Sequence, residues 1–202
     1  MKLYYSPGAC SLSPHIVIRE LGLDVALEKA DIRSKKTESG GDFMAVTPKG
    51  QVPTLVLDDG QILTEGPVIV QYLADMKPEI GLLPAAGTLD RVRVQEWLNH
   101  ITSEIHKGYS PLFRPNTPED YKTIVRNNLA NKYRNLEAQL KGKSYLTGDR
   151  FTVADAYLFT VTNWAAHTGV DLTGFPNVLA FQQRVASRPR VQDALKEEGL
   201  VK

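Results

Sequence analysis

The chain has 202 residues, and its 24 Lys+Arg against 23 Asp+Glu exclude the charge excess with which a protein grips nucleic acid or an anionic membrane surface. One cysteine, Cys10, excludes an internal disulfide and any multi-cysteine zinc site, and points to a reducing compartment. The length suits one large domain or two small ones, each able to bury a core.

Met1-Lys2-Leu3-Tyr4-Tyr5 lacks the apolar stretch of a signal peptide, so a cytoplasmic location is expected. The opening residues predict a strand over 2–5. Ile16, Val17 and Leu21 share one face of a helix over 13–21 that Gly22 stops. Cys10 falls between the two, in Ser6-Pro7-Gly8-Ala9-Cys10-Ser11-Leu12-Ser13-Pro14. A thiol at a helix N-terminus meets unpaired N–H groups and the positive end of the helix dipole, so a lowered pKa and sulfur chemistry are expected. Residues 10–13 read C-x-x-S, which leaves the thiol no resolving partner. Tyr4 and Tyr5 point to opposite faces of a strand, and packing accounts for both.

A second strand is predicted over 25–32, followed by a long polar loop. Strands over 54–57 and 61–64 flank Asp58-Asp59-Gly60 as a β-hairpin, and a helix over 65–76 carries Val68, Ile69, Tyr72 and Leu73. The order β-α-β, loop, β-β-α matches an α/β thioredoxin-like domain over 1–77. Residues 77–88, with Pro78, Gly81, Pro84 and Gly87, read as a linker.

From there the strand signals vanish, and 88–202 read as an all-α domain. Val94, Trp97, Leu98, Ile101 and Ile105 predict one long amphipathic helix, with a second over 121–140. Thr152-Val153-Ala154-Asp155 forms a capping box, with Asp in place of the usual Glu, before an apolar helix over 156–164. A helix over 178–186 follows Phe175-Pro176-Asn177, and Arg188-Pro189 precedes a last short one.

An α/β thioredoxin-like domain followed by an all-helical domain in about 200 residues is the architecture of cytosolic glutathione transferases. The Cys10 segment, Pro48-Lys49-Gly50-Gln51-Val52-Pro53, Leu63-Thr64-Glu65-Gly66-Pro67, Glu104 through Phe113 and Phe151 through Phe159 together resemble the bacterial beta class over essentially the whole chain. The resemblance implies a cytoplasmic homodimer that joins the glutathione thiolate to small hydrophobic electrophiles in a cleft between the domains. Glutathione is then a co-substrate, with no permanently bound cofactor.

Cys10 and His106 are its implied catalytic residues, His106 holding or relaying the thiol proton. Val52, before an implied cis Pro53, pairs its backbone with the cysteinyl unit as an added strand does. Glu65 attracts the γ-glutamyl ammonium, and the Gly66 N–H meets the accompanying carboxylate at a helix start. Many members carry Ser after that Glu, so Gly66 removes one hydroxyl bond. Lys35 pairs with the glycyl carboxylate, with Lys36 an equal candidate. Lys107 lies near the ligand, and Asn99 and Glu104 near the partner subunit's glutathione. Asn99, Ser103 and His106 form a polar stripe beside the apolar face of their helix. Tyr157, Phe159 and Trp164 read as apolar interior. Glutathione-dependent disulfide reduction through Cys10, reductive dehalogenation and non-catalytic glutathione binding remain as alternatives.

Overall fold

A computed structural model describes residues 1–202, which divide into two units: Met1–Leu83 with Arg188–Lys202, and Pro84–Ser187.

In the first unit, β1 (Lys2–Tyr5) is the central strand of a sheet ordered β3-β2-β1-β4-β5. It runs parallel to β2 (Ala26–Asp31) and antiparallel to β4 (Thr54–Val56), which pairs with β5 (Ile62–Thr64) through the expected hairpin. Helices α1 (Leu12–Leu21) and α3 (Gly66–Asp75) pack together, burying Ile16, Val17, Ile69, Val70 and Leu73. Gly22 ends α1 in the left-handed conformation (φ 59°), where a glycine pays no Cβ penalty.

The expected polar loop is partly ordered. It contains the short strand β3 (Lys36–Thr37) and one helical turn, α2 (Phe43–Val46), capped by the Asp42 carboxylate accepting from the Met44 N–H at 2.9 Å. Phe43 is what ties this segment down. Its ring lies 5.5 Å from that of Tyr4 in a cluster with Ala30 and Val52, so the loop is anchored by burial that its polar flanks conceal.

Residues 188–202 depart from the expected division at 88. Helix α10 (Pro189–Glu197) packs on α1 in the first unit, because α1 presents charged groups that match it. Arg188 grips Glu20 with Nε and Nη2 at 2.7 and 2.8 Å, Arg19 bonds Glu197, and the fully buried His15 meets Glu198 at Nδ1 (2.9 Å) and Glu197 at Nε2 (2.8 Å).

The second unit holds α4 (Leu89–His100), α5 (Lys107–Tyr109), α6 (Glu119–Leu140), α7 (Val153–Thr162), α8 (Ala165–Thr168) and α9 (Pro176–Ala186). The single long helix expected over 94–105 is interrupted. After α4 the chain winds as a π-helix over Ile101–His106. Thr102 donates its hydroxyl back to the Leu98 carbonyl at 2.8 Å and Ser103 to that of Asn99 at 3.1 Å, competing with the α ladder as wider turns take over. Val94, Leu98, Ile101 and Ile105 nevertheless all stay buried. The capping box of α7 is present as expected, with Asp155 accepting from the Thr152 N–H and hydroxyl.

Candidate functional site

The segment bearing Cys10 is held by its neighbours on both sides. Ser11 accepts from the Ser6 N–H at 3.0 Å and donates to the Ser6 carbonyl, so its hydroxyl is spent on folding the loop. Gly8 donates its N–H to Glu198 Oε2 at 2.8 Å, and Leu200 packs beside it. Helix α1 begins at Leu12, two residues after the thiol.

Cys10 is half-buried and donates its thiol to the Val52 carbonyl at 3.2 Å. Burial pushes the thiol up to about 12, against the smaller opposing effect of the Cys10 and Ser11 N–H groups, with the Glu65 carboxylate adding to the rise. The expectation of a lowered pKa is therefore corrected for the unliganded chain: desolvation outweighs the helix start, and a bond to a carbonyl favours the protonated thiol.

Val52 is joined to Pro53 by a cis peptide bond, as the sequence resemblance implied. Its side chain sits in the Tyr4–Phe43 cluster, which seats the loop 49–53 against the sheet. Lys35 stretches across Gly50 and donates to its carbonyl at 2.8 Å. Gly50 has φ 54°, a backbone that favours glycine, and a Cβ there would have to push the Met44 sulfur aside. Lys36 instead takes part in β3.

Two residues other than glycine have a left-handed backbone, Lys35 (φ 59°) and Glu65 (φ 69°). Such strain concentrates at functional sites, and here both residues bond to the loop 49–53. Glu65 precedes α3 and accepts from Lys49 Nζ at 2.7 Å. Gly66 is the first residue of α3; Pro67 after it has no N–H, so the Gly66 N–H is a donor at the positive end of the helix. A Cβ on Gly66 would touch only Pro53 Cγ, at 3.7 Å. Cys10, Lys35, Val52, Pro53, Glu65 and Gly66 thus come together in the first unit.

The other four expected residues lie in the second unit, along α4 and the segment that follows. His106, the last residue of the π turn, meets the Tyr157 hydroxyl at Nδ1 (2.5 Å), and its ring packs edge-on against Trp164 with centroids 4.9 Å apart. Tyr157 and Trp164, read from the sequence as apolar interior, are therefore what orients His106. Glu104 forms an ion pair with Lys132 of α6 that lowers the carboxyl's pKa. Asn99 and Lys107 are exposed.

Lys49 and Glu198 also went unrecognised as participants. Lys49 stood inside a motif but was read only as loop, and no local pattern links Glu198 to Gly8.

Residues 8–76 match the family model for the glutathione S-transferase N-terminal domain and residues 100–189 that for the C-terminal domain. Glutathione S-transferase GstA of Escherichia coli O157:H7 is 52% identical over 200 residues, 99% of this chain and 100% of that protein. Among solved structures, the chain is similar to a ternary complex of BphK, a bacterial GST (TM-score 0.96, 52% identity, 98% of this chain and 100% of the other). It is also similar to a sphingomonad glutathione S-transferase complexed with glutathione and to a bacterial beta class enzyme of Sphingomonas chungbukensis, each at TM-score 0.96 and 45% identity over 100% of both chains.

Proposed function

Because the chain belongs to the glutathione S-transferase family, we propose that it conjugates glutathione to small hydrophobic electrophiles in the manner of the bacterial beta class. The observation that carries this reading is the pair of strained residues, Lys35 and Glu65, bonded to the loop 49–53, with the Val52 carbonyl between them satisfied by the Cys10 thiol. A carbonyl with a displaceable donor, a carboxylate and a helix N-terminus match the cysteinyl N–H, the ammonium and the α-carboxylate of a γ-glutamyl peptide. Lys35 serves the glycyl carboxylate. Asn99, Glu104 and Lys107 are assigned to ligand contacts, the first two across a homodimer. No helix of the chain is long and apolar enough to cross a membrane, and we assign it to the cytoplasm.

In this mechanism the attacking sulfur is glutathione's. Its thiol proton passes to His106, held at Nδ1 by Tyr157, and the thiolate forms the new sulfur–carbon bond while the electrophile's leaving group departs with its bonding pair. The protonated Cys10 thiol then acts as a hydrogen-bond donor to that thiolate, which its raised pKa suits. The same raised pKa makes Cys10 a poor nucleophile at neutral pH, which disfavours disulfide exchange through it. The exposed Phe113, packed at 5.3 Å on Trp164, offers an apolar ring for the electrophile.

Conjugation of an aryl halide by wild type and by Cys10→Ala tests the assignment. Loss of one hydrogen bond is expected to cost less than about tenfold in turnover. Abolished conjugation in the variant would show that Cys10 does more than donate one hydrogen bond to the attacking sulfur. Light scattering at micromolar concentration is expected to show a dimer; a fully active monomer would exclude ligand contacts from a neighbour.

A further inference from the structure

Lys49 enters the reading above only as the loop residue that Glu65 bonds, yet it occupies the group that reading depends on. Its ammonium donates to Glu65 Oε1 at 2.7 Å and to Thr64 Oγ1 at 2.9 Å. Glu65 presents its carboxylate from a fixed backbone. Its backbone is in the left-handed region at φ 69°, and its carbonyl accepts from the Val68 and Ile69 N–H groups at 2.9 and 3.0 Å, so its Cα is pinned to the start of α3. A ligand's ammonium therefore meets at Glu65 a carboxylate that already holds a cation at Oε1. Both side chains are about half exposed, so the pair is weak enough to open.

Resting on the assignment of Glu65 to the ligand's ammonium, we propose that Lys49 is a specificity-determining residue whose own ammonium competes with that group. The competition narrows the margin by which the site prefers peptides carrying a free α-amino group over peptides without one. Two cations at one carboxylate repel each other, and leaving Glu65 costs Lys49 its bond to Thr64 as well. A ligand lacking the ammonium leaves the Lys49–Glu65 pair intact and escapes this cost. Exposed pairs of this kind change an equilibrium by about two- to fivefold, which sets the expected effect.

The test is calorimetric titration of wild type and Lys49→Met with two probes: S-methylglutathione, whose thiol is blocked, and the same peptide lacking the α-amino group. Lys49→Met is expected to bind S-methylglutathione about two- to fivefold more tightly and the deaminated peptide no more tightly, so the ratio of the two Kd values widens by that factor. An unchanged or narrower ratio overturns the proposal, including the case in which Lys49 turns to the ligand's carboxylate and its loss weakens binding. Glu65→Ala separates this from the underlying assignment. If that variant binds S-methylglutathione as tightly as wild type, Glu65 is not the ammonium acceptor and both readings fall. If it binds more weakly while Lys49→Met leaves the ratio unchanged, only the role of Lys49 falls.

Discussion

Cys10 stands two residues before a helix and still holds its proton, because it is partly buried and donates to the Val52 carbonyl. With the thiol pushed up to about 12, iodoacetamide is expected to modify the unliganded chain at pH 7 about 100-fold more slowly than it modifies free glutathione. The rate should keep rising past pH 10, and a plateau near neutrality would contradict it. The linked effect on stability has a definite sign. A thiol raised above its ordinary value of about 8.5 contributes stability that is whole below that pH and is lost as pH rises through 12. Residue type and position singled out Cys10, and the family resemblance added Val52, Glu65 and His106. Neither foresaw the state of the sulfur, since desolvation depends on atoms brought in from elsewhere in the chain.

The start of α7 depends on the fully buried Asp155, which accepts from the Thr152 N–H and the Leu146 N–H at 2.8 Å each and from the Thr152 hydroxyl at 2.7 Å. Removing that acceptor by Asp155→Ala is expected to cost about 2–4 kcal/mol in urea unfolding. Burial pushes the Asp155 carboxyl up to about 6, above the ordinary value near 3.9, so its favourable contribution is complete below about pH 4 and declines as pH rises through 6. The difference between wild type and Asp155→Ala should therefore be larger at pH 4 than at pH 7, and an equal or reversed difference would refute the sign. The capping box was legible because it is written in four consecutive residues. The π turn over Ile101–His106 was not, because apolar spacing there fits an α-helix equally well and only the backbone shows the wider turns.

At the scale of the whole molecule, the chain returns to its beginning. Glu198 joins His15 and the Gly8 N–H, tying the C-terminal segment to α1 and to the loop that bears Cys10. Glu198→Ala leaves a buried imidazole nitrogen and a backbone N–H without their acceptor, and is expected to cost about 3–5 kcal/mol. Hydrogen exchange should locate the damage, with the α1 amides losing protection and those of α7 keeping it. Equal loss in both helices would show that Glu198 does not act on the first unit specifically.

The order β1-α1-β2 and β4-β5-α3, the cap of α7, the hairpin at Asp58-Asp59-Gly60 and the motifs that mark the glutathione transferase family were determined by the sequence itself, because each rests on residues a few positions apart. Only the tertiary structure decided that Cys10 meets Val52 across 42 positions, that Lys49 covers Glu65 across 16, and that Glu198 reaches Gly8 across 190. Pairings of that range leave no periodicity in the chain. They exist because burial and charge bring the groups together once the sheet and helices have formed, and they set the surroundings of the thiol and the partner of the carboxylate.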